Sequence, residues 1–164
     1  MSEIFLETER LILRRFTWTD VDDLVELDSD PAVMRYLSGA ATPRDVVIRE
    51  TMPRLLSYYE RFAGYGYWAA IVRESGEFIG WFHFRPSDDS RPDDAELGVA
   101  RVNAFTMFVN AGSRRVMEKS GLTLVRTFFG DWPEVIEGSE FGDVEYALTR
   151  REWEEAGATR RGTP

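Results

Sequence analysis

Two residue types that often carry out catalysis, cysteine and histidine, are scarce in this chain. It contains no cysteine, which excludes disulfides, thiolate metal sites and a cysteine nucleophile. His83 is the single histidine, so a metal site with several histidine ligands is excluded and a Ser-His-Asp triad is disfavoured.

Three polar residues in the second half of the chain are candidate functional residues because of where they lie in the sequence. By residue type alone, Glu96 of "AELG" is a solvated strand residue. Asn110 and Ser113 of "NAGSRR" are helix-start residues, which satisfy free backbone amides. His83 lies in an alternating strand pattern, where a cross-strand contact is the expected role.

The composition is that of an ordinary globular domain. The chain has 164 residues, of which 43% are hydrophobic and 30% are charged. The net charge of -9 disfavours nucleic acid and anionic membranes as partners and is compatible with amine substrates. The start "MSEIFLETER" has no signal-peptide pattern, and no apolar run is long enough to span a bilayer. We expect a cytoplasmic protein.

The first part of the chain predicts a strand followed by helices. The apolar density of residues 5–16 favours one strand, and Thr19 is a suitable cap for a short amphipathic helix after it. Thr42 as cap, with Pro43 at the first helical position, begins a longer helix. Pro53 should kink or divide that helix.

A hairpin comes next. The β-rich runs "YWAAIV" and "EFIGWFHF" are separated by the polar turn "RESG". Tyr65 and Tyr67 stand at the start of the hairpin, where aromatic residues line a substrate cleft in some proteins but more often belong to the core.

The remaining sequence predicts a strand, a helix and two more strands. Asn110 caps the helix, Val116 and Met117 are expected on its buried side, and Gly121 ends it. The runs "LTLVRTFF" and "DVEYALT" read as strands. The order of elements indicates an α/β (α+β) domain with a mixed, mostly antiparallel sheet flanked by helices.

The domain limits follow from these elements. We expect a single domain over residues 1–154, with an N-terminal half of residues 1–97 and a C-terminal half of residues 99–154. The tail, residues 155–164, is expected to be disordered.

Four segments, taken in this order, resemble the GNAT superfamily of N-acetyltransferases. They are "ETERLILRRFTWTD", "GEFIGWF", "NAGSRRVMEKSGL" and "DVEYALTRREW". Within that superfamily they resemble the RimJ/RimL-like branch, the ribosomal-protein-alanine acetyltransferases. The resemblance covers most of residues 5–153.

The resemblance implies a reaction and roles for the candidate residues. Such proteins transfer an acetyl group from acetyl-CoA to an amine, without a metal and without a covalent enzyme intermediate. Glu96 on the family's fourth strand would be the base that deprotonates the amine. Asn110 would bind pantetheine or substrate, and the Ser113 hydroxyl would donate a proton to the leaving thiolate.

The sequence departs from the family between the fourth and fifth strands. Relatives carry there a Gly-rich turn, whose amides bind the CoA pyrophosphate, and a crossover helix. Here only Gly98 separates the two strand patterns, although adjacent parallel strands need a crossover of a dozen or more residues. We therefore expect residues 94–107 to form one long strand of about 45 Å, and the two halves to complete each other in a domain-swapped homodimer.

Two functions remain open at this point. The first is acetyl transfer to the amine of a protein N-terminus or of a small molecule, with a weakened cofactor site. The alternative is a non-catalytic, GNAT-derived dimer that serves as a binding or scaffold protein.

Overall fold

The computed structural model describes residues 3–62, 64–85, 100–130 and 135–161. It divides into two compact units. The first takes in Met1–Met34 and Ala40–Leu97, and the second Arg35–Gly39 and Gly98–Pro164. Within the described residues, no helix is long and apolar enough to cross a membrane.

The first unit begins with a hairpin where a single strand was predicted. Strands β1 (Ile4–Glu7) and β2 (Leu11–Arg15) pair antiparallel. The Thr8 hydroxyl accepts hydrogen bonds from the amides of Leu11 at 2.9 Å and Arg10 at 3.3 Å, and these bonds reverse the chain. The β-structure predicted for residues 5–16 is confirmed, but it consists of two strands joined by a turn at Thr8 and not of one strand.

Two short helices follow this hairpin. A 3₁₀ turn, Trp18–Asp20, leads into α1 (Val21–Leu27), and α2 spans Pro31–Met34. The prediction that Thr19 caps this helix is wrong, because α1 begins one residue later than expected. Asp20 precedes α1, and its carboxylate accepts a hydrogen bond from the Thr17 amide at 2.7 Å.

The longer helical segment is divided, as expected from Pro53. It consists of α3 (Arg44–Val46), a π-helical turn (Val47–Thr51) and α4 (Met52–Arg61). Pro53 has no amide hydrogen for the regular helical bond, and the wider turn ends two residues before it. Pro43 is extended and stands just before α3, one position outside the helix that it was expected to begin.

The predicted hairpin is confirmed as β3 (Gly66–Val72) and β4 (Phe78–Phe84). The sheet order is β1-β2-β3-β4, and every pair is antiparallel. The core of this unit lies between the sheet and the helices. Its buried apolar residues include Phe16, Leu24, Val47, Met52, Leu55, Tyr58, Phe62, Tyr65, Tyr67, Trp68 and Ala69.

In the residues described, the second unit contains three further strands and two helices. Its elements are β5 (Arg101–Met107), α5 (Ala111–Lys119), β6 (Thr123–Phe128), a 3₁₀ turn (Ser139–Phe141), β7 (Asp143–Thr149) and α6 (Arg150–Arg161). The sheet order is β5-β7-β6, again antiparallel throughout. The structure is thus α/β, with antiparallel sheets flanked by helices.

Two expectations for this unit need correction. Val116 is 59% exposed, because Arg114 and Glu118, one helical turn apart, occupy the side of α5 that contacts β7. Helix α6 continues to Arg161, into the tail that was expected to be disordered. Thr149 and Glu152 exchange hydrogen bonds at its start, which supports the helix.

The long strand predicted for residues 94–107 is described only in part. Strand β5 begins at Arg101, and Ala100 before it forms a bend whose carbonyl accepts a hydrogen bond from the Arg150 amide at 2.9 Å. Residues 94–99 lie outside the described part of the chain. A continuous strand through residues 94–107 therefore stays a prediction.

Candidate functional site

Asn110 and Ser113 meet where β5 ends and α5 begins. The Asn110 amide donates to the Met107 carbonyl at 3.0 Å, which turns the chain out of the strand. The Asn110 side-chain oxygen then accepts a hydrogen bond from the Ser113 amide at 3.1 Å. This is the N-cap that the sequence predicted, and it fixes the two side chains one helical turn apart.

The Ser113 hydroxyl has no protein partner within the described part of the chain. The residue is half-buried at the first turn of α5. A hydroxyl in this position can donate its proton to a ligand and can also accept a hydrogen bond. The geometry is therefore compatible with both capping and ligand binding at this turn.

Arg114 anchors the first turn of α5 to the sheet. Its guanidinium donates to the Phe108 carbonyl at 3.0 Å and lies 4.6 Å from the centre of the Phe108 ring. It also donates to the Tyr146 hydroxyl at 3.2 Å. Tyr146, only 1% exposed, in turn donates to Glu118 at 2.8 Å. These contacts hold α5, and with it Asn110, in a fixed position relative to β5 and β7.

The sequence reasoning missed this anchor. The alternation in "DVEYALT" could have placed Tyr146 on the buried side of its strand, because Val144 two residues before it is also buried. No local pattern points to Arg114, since its partner Tyr146 lies 32 residues away in the sequence.

A second polar cluster joins the three strands on the opposite face of the sheet. Glu145, whose side chain is 12% exposed, accepts hydrogen bonds from Arg101 on β5 at 3.2 Å and from Arg126 on β6 at 2.6 Å. Glu145 and Tyr146 are adjacent on β7, so their side chains point to opposite faces. This cluster stabilises the strands that carry the Asn110 turn.

The other residues considered in the sequence lie elsewhere. Glu96 falls outside the described residues. Tyr65 and Tyr67 are buried, as expected for core aromatics. His83 is paired across the β3–β4 hairpin with Tyr67, and their ring centres are 5.4 Å apart, which confirms the cross-strand contact.

Acidic and histidine side chains do not form a metal site in the part of the chain that is described. Among those residues, no three such side chains cluster closely enough to bind an ion.

The sequence itself decides the family. A model of the acetyltransferase (GNAT) domain matches residues 10–100, which is more than half of the chain. The chain belongs to the GNAT acetyltransferase family. Members of this family use acetyl-CoA as cosubstrate and act on amine-bearing substrates.

One curated relative is an FsC-acetyl coenzyme A-N(2)-transacetylase from Aspergillus fumigatus. It is 29% identical over 184 residues, covering 90% of this chain and 77% of the relative. Because that alignment is longer than the whole chain of 164 residues, the relative has residues within it that this chain lacks.

Solved GNAT structures show the same fold. A GCN5-related N-acetyltransferase from Brucella melitensis matches with a TM-score of 0.64 at 18% identity, over 94% of this chain and 81% of its own. RimL, the ribosomal L7/L12 alpha-N-protein acetyltransferase, solved in complex with coenzyme A, matches with a TM-score of 0.64 at 16% identity. It covers 90% of this chain and 98% of its own.

Proposed function

We propose that this GNAT protein is an acetyl-CoA-dependent N-acetyltransferase. The observation that carries the proposal is the family match over residues 10–100. The Asn110–Ser113 turn supports this proposal. It lies beyond the matched region, at the end of β5, and it holds in an ordered position the two polar residues that the family resemblance singled out. The non-catalytic alternative is not favoured by the family match.

Each of the three candidate residues has a proposed role. Acetyl-CoA supplies the activated acetyl group as a thioester. Glu96 removes a proton from the substrate ammonium, so that the nitrogen lone pair can form the new amide bond. The Ser113 hydroxyl donates its proton as the thiolate leaves, and it regains a proton from the nitrogen as the amide forms. Asn110 uses its side-chain oxygen for the cap, which leaves its NH₂ group to bind pantetheine.

The acceptor is proposed at the level of chemical class. The Aspergillus relative is an N(2)-transacetylase and RimL acts on a protein N-terminus, according to their names. The cytoplasmic, RimJ/RimL-like assignment suggested by the sequence is compatible with either kind of amine. We infer that this chain acetylates the amine of a protein N-terminus or of a small molecule.

We further propose that the active form is a homodimer in which the two units are exchanged between chains. The sequence has only Gly98 between the two strand patterns, which is too short for a crossover between neighbouring parallel strands. The gapped alignment with the Aspergillus relative supports a missing segment. Phe82 in the first unit and Phe105 in the second are 52% and 57% exposed, and a second copy would cover such residues.

Isothermal titration with acetyl-CoA at moderate salt tests the function. Micromolar binding near one site per chain supports a working cofactor site. Affinity weaker than that expected of relatives with the Gly-rich turn is the predicted consequence of losing its phosphate-binding amides. If no heat is detected at millimolar acetyl-CoA, the proposal of acetyl transfer is wrong.

Light scattering coupled to size-exclusion chromatography tests the assembly. We expect twice the mass of one 18.9 kDa chain. Inserting a flexible linker of about 15 residues after Gly98 should favour a monomer, because a longer connection lets both units of one chain pair with each other. A compact monomer of the unmodified chain would contradict the exchanged dimer.

A further inference from the structure

A buried tyrosine joins β7 to helix α5 next to the Asn110–Ser113 turn. The Tyr146 hydroxyl accepts a hydrogen bond from the Arg114 guanidinium at 3.2 Å and donates one to the Glu118 carboxylate at 2.8 Å. Arg114 and Glu118 are four residues apart, so they lie on the same side of α5. One hydroxyl therefore holds the helix at two points, which fixes both its rotation and its position along its axis.

The strand that carries this tyrosine is the central one of the second sheet. It pairs with β5 on one side and with β6 on the other. Tyr146 is 1% exposed, so its ring is closely packed and its hydroxyl has little freedom to move. The hydroxyl is thus a fixed reference point for the position of α5.

Arg114 also connects the two ends of the turn. Its guanidinium donates to the carbonyl of Phe108, the residue that directly follows β5, at 3.0 Å. Asn110 and Ser113 lie in the segment between Phe108 and Arg114. Ser113 is the neighbour of Arg114 in the chain, and its amide is held by the Asn110 side chain at 3.1 Å. A shift of the Arg114 side chain would therefore shift Ser113 with it.

The order of charges along α5 is not the order that stabilises a helix. Positive charge is unfavourable near the start of a helix and negative charge near its end, and a basic residue four positions before an acidic one is the weaker of the two orders. Helix α5 nevertheless has Arg114 in its first turn and Glu118 just before its last residue. The stability of the helix does not explain this order. Placement of the turn does, because Arg114 reaches both Phe108 and Tyr146.

The direction of the Ser113 hydroxyl depends on where the backbone holds it, because the hydroxyl has no protein partner among the described residues. A proton donor must lie within hydrogen-bond reach of the atom that it protonates, and a displacement of about 1 Å can slow a reaction about 100-fold. We propose that Arg114 and Tyr146 are positioning residues that hold this hydroxyl within reach of the leaving thiolate. The inference rests on the proposed acetyl transfer.

Tyr146→Phe tests the proposal, since it removes the hydroxyl and keeps the ring. Assays follow CoA release with trialanine and with 1,4-diaminobutane, one amine of each proposed class. We expect kcat to fall about tenfold while KM for the amine is unchanged. The melting temperature should fall by only about a few degrees, because Glu118 is exposed and Arg114 half-buried, so that water can replace the lost bonds. An unchanged kcat would overturn the proposal.

Tyr59 on α4 offers a matched control. Its hydroxyl accepts a hydrogen bond from the Phe16 amide at 2.9 Å and donates one to the Tyr67 carbonyl, so Tyr59→Phe also removes a hydroxyl with two hydrogen bonds. These bonds lie within the first unit and do not involve α5. Tyr59→Phe should lower the melting temperature without changing kcat. If both variants lose kcat to the same extent, the loss reflects stability and the positioning role is wrong.

A double variant shows whether the network acts through Ser113. In the Ser113→Ala background, Tyr146→Phe should cause no further fall in kcat, because the hydroxyl that the network positions is already absent. A further fall of about tenfold in the double variant would contradict the proposal, since the two losses would then be independent.

Arg114→Lys separates geometry from charge. Lysine keeps the positive charge but lacks the planar guanidinium that donates to both Phe108 and Tyr146. We therefore expect Arg114→Lys to lose about as much kcat as Tyr146→Phe does. Full kcat in Arg114→Lys would show that the charge is sufficient, and the positioning role would be wrong.

The same assays separate a failure of this inference from a failure of the proposed function. If the unmodified protein acetylates either amine and Tyr146→Phe has a normal kcat, acetyl transfer stands and the positioning role is wrong. If the unmodified protein does not bind acetyl-CoA in calorimetry, the proposed function is wrong and the inference falls with it.

Discussion

Asp20 shows how one buried carboxylate organises the first unit. Arg14 donates two hydrogen bonds to it, each of 2.8 Å, and the Thr17 amide donates a third. Burial alone raises the pKa of Asp20, but the bonds from Arg14 and Thr17 outweigh burial, so that the pKa lies below its ordinary value of 3.8. The folded state therefore favours the charged carboxylate and is stabilised by it above about pH 4.

Asp20→Asn should lower the free energy of unfolding by about 3 kcal/mol at pH 7, since it leaves the Arg14 guanidinium without its charged partner. The loss should shrink as the pH falls through the lowered pKa, because the wild-type carboxylate then becomes protonated too. Urea unfolding at pH 7 and near pH 2.5 measures both. Glu26→Gln, an exposed change on α1, the helix that Asp20 precedes, is the control. A loss of equal size at both pH values would show that the charge is unimportant.

Ser113 allows catalysis to be separated from stability. Its hydroxyl has no protein partner among the described residues, so Ser113→Ala should leave the melting temperature unchanged. If the hydroxyl protonates the leaving thiolate, kcat should fall about 100-fold while KM for the amine stays the same. Ser120→Ala, at the other end of α5, should change neither quantity. Unchanged kcat in Ser113→Ala would remove Ser113 from the mechanism.

Asn110 combines a structural role with a proposed binding role, and two variants distinguish them. Asn110→Ala removes the cap of α5 and should cost about 1 kcal/mol of stability. Asn110→Asp keeps an acceptor for the Ser113 amide and should retain most of that stability. Both variants should weaken acetyl-CoA binding in calorimetry if the NH₂ group binds pantetheine. If Asn110→Asp binds acetyl-CoA with normal affinity, the role of Asn110 is limited to capping α5.

At the scale of the elements, Glu145 ties the outer strands of the second sheet to the central one. Glu145→Gln keeps the shape but removes the charge that binds Arg101 and Arg126. The arginine side chains are 45% and 61% exposed, so we expect a loss of only about 1 kcal/mol. Hydrogen exchange should show faster opening of β5 and β6 amides. Glu140→Gln, an exposed change outside the sheet, is the control and should leave hydrogen exchange unchanged. If the two variants show similar exchange, Glu145 does not stabilise the pairing of these strands.

The elements also show what could be read from the sequence. The β3–β4 hairpin and the Asn110 cap were predicted because their signals are local: alternating apolar residues, a polar turn and a capping side chain. The capping pattern of Thr149 and Glu152 is equally local, and it was overlooked. The Arg114–Tyr146 contact could not be predicted, since it depends on packing between distant segments.

At the scale of the whole molecule, the short connection around Gly98 is the departure from the family that the sequence predicts. In the proposed exchanged dimer, each active site combines Glu96 of one chain with Ser113 of the other. A chain with Ser113 replaced still has an intact Glu96, and a chain with Glu96 replaced still has an intact Ser113. In a dimer of these two chains, one site therefore combines the intact Glu96 with the intact Ser113.

Mixing two inactive variants tests this arrangement. Glu96→Gln and Ser113→Ala chains, unfolded together in equal amounts and refolded, should recover about a quarter of wild-type activity. Half of the dimers are then mixed, and one of the two sites in each mixed dimer has both residues intact. Each variant refolded alone should stay inactive. A monomer, or a dimer whose sites are built within single chains, would recover nothing, because no site could then contain both Glu96 and Ser113.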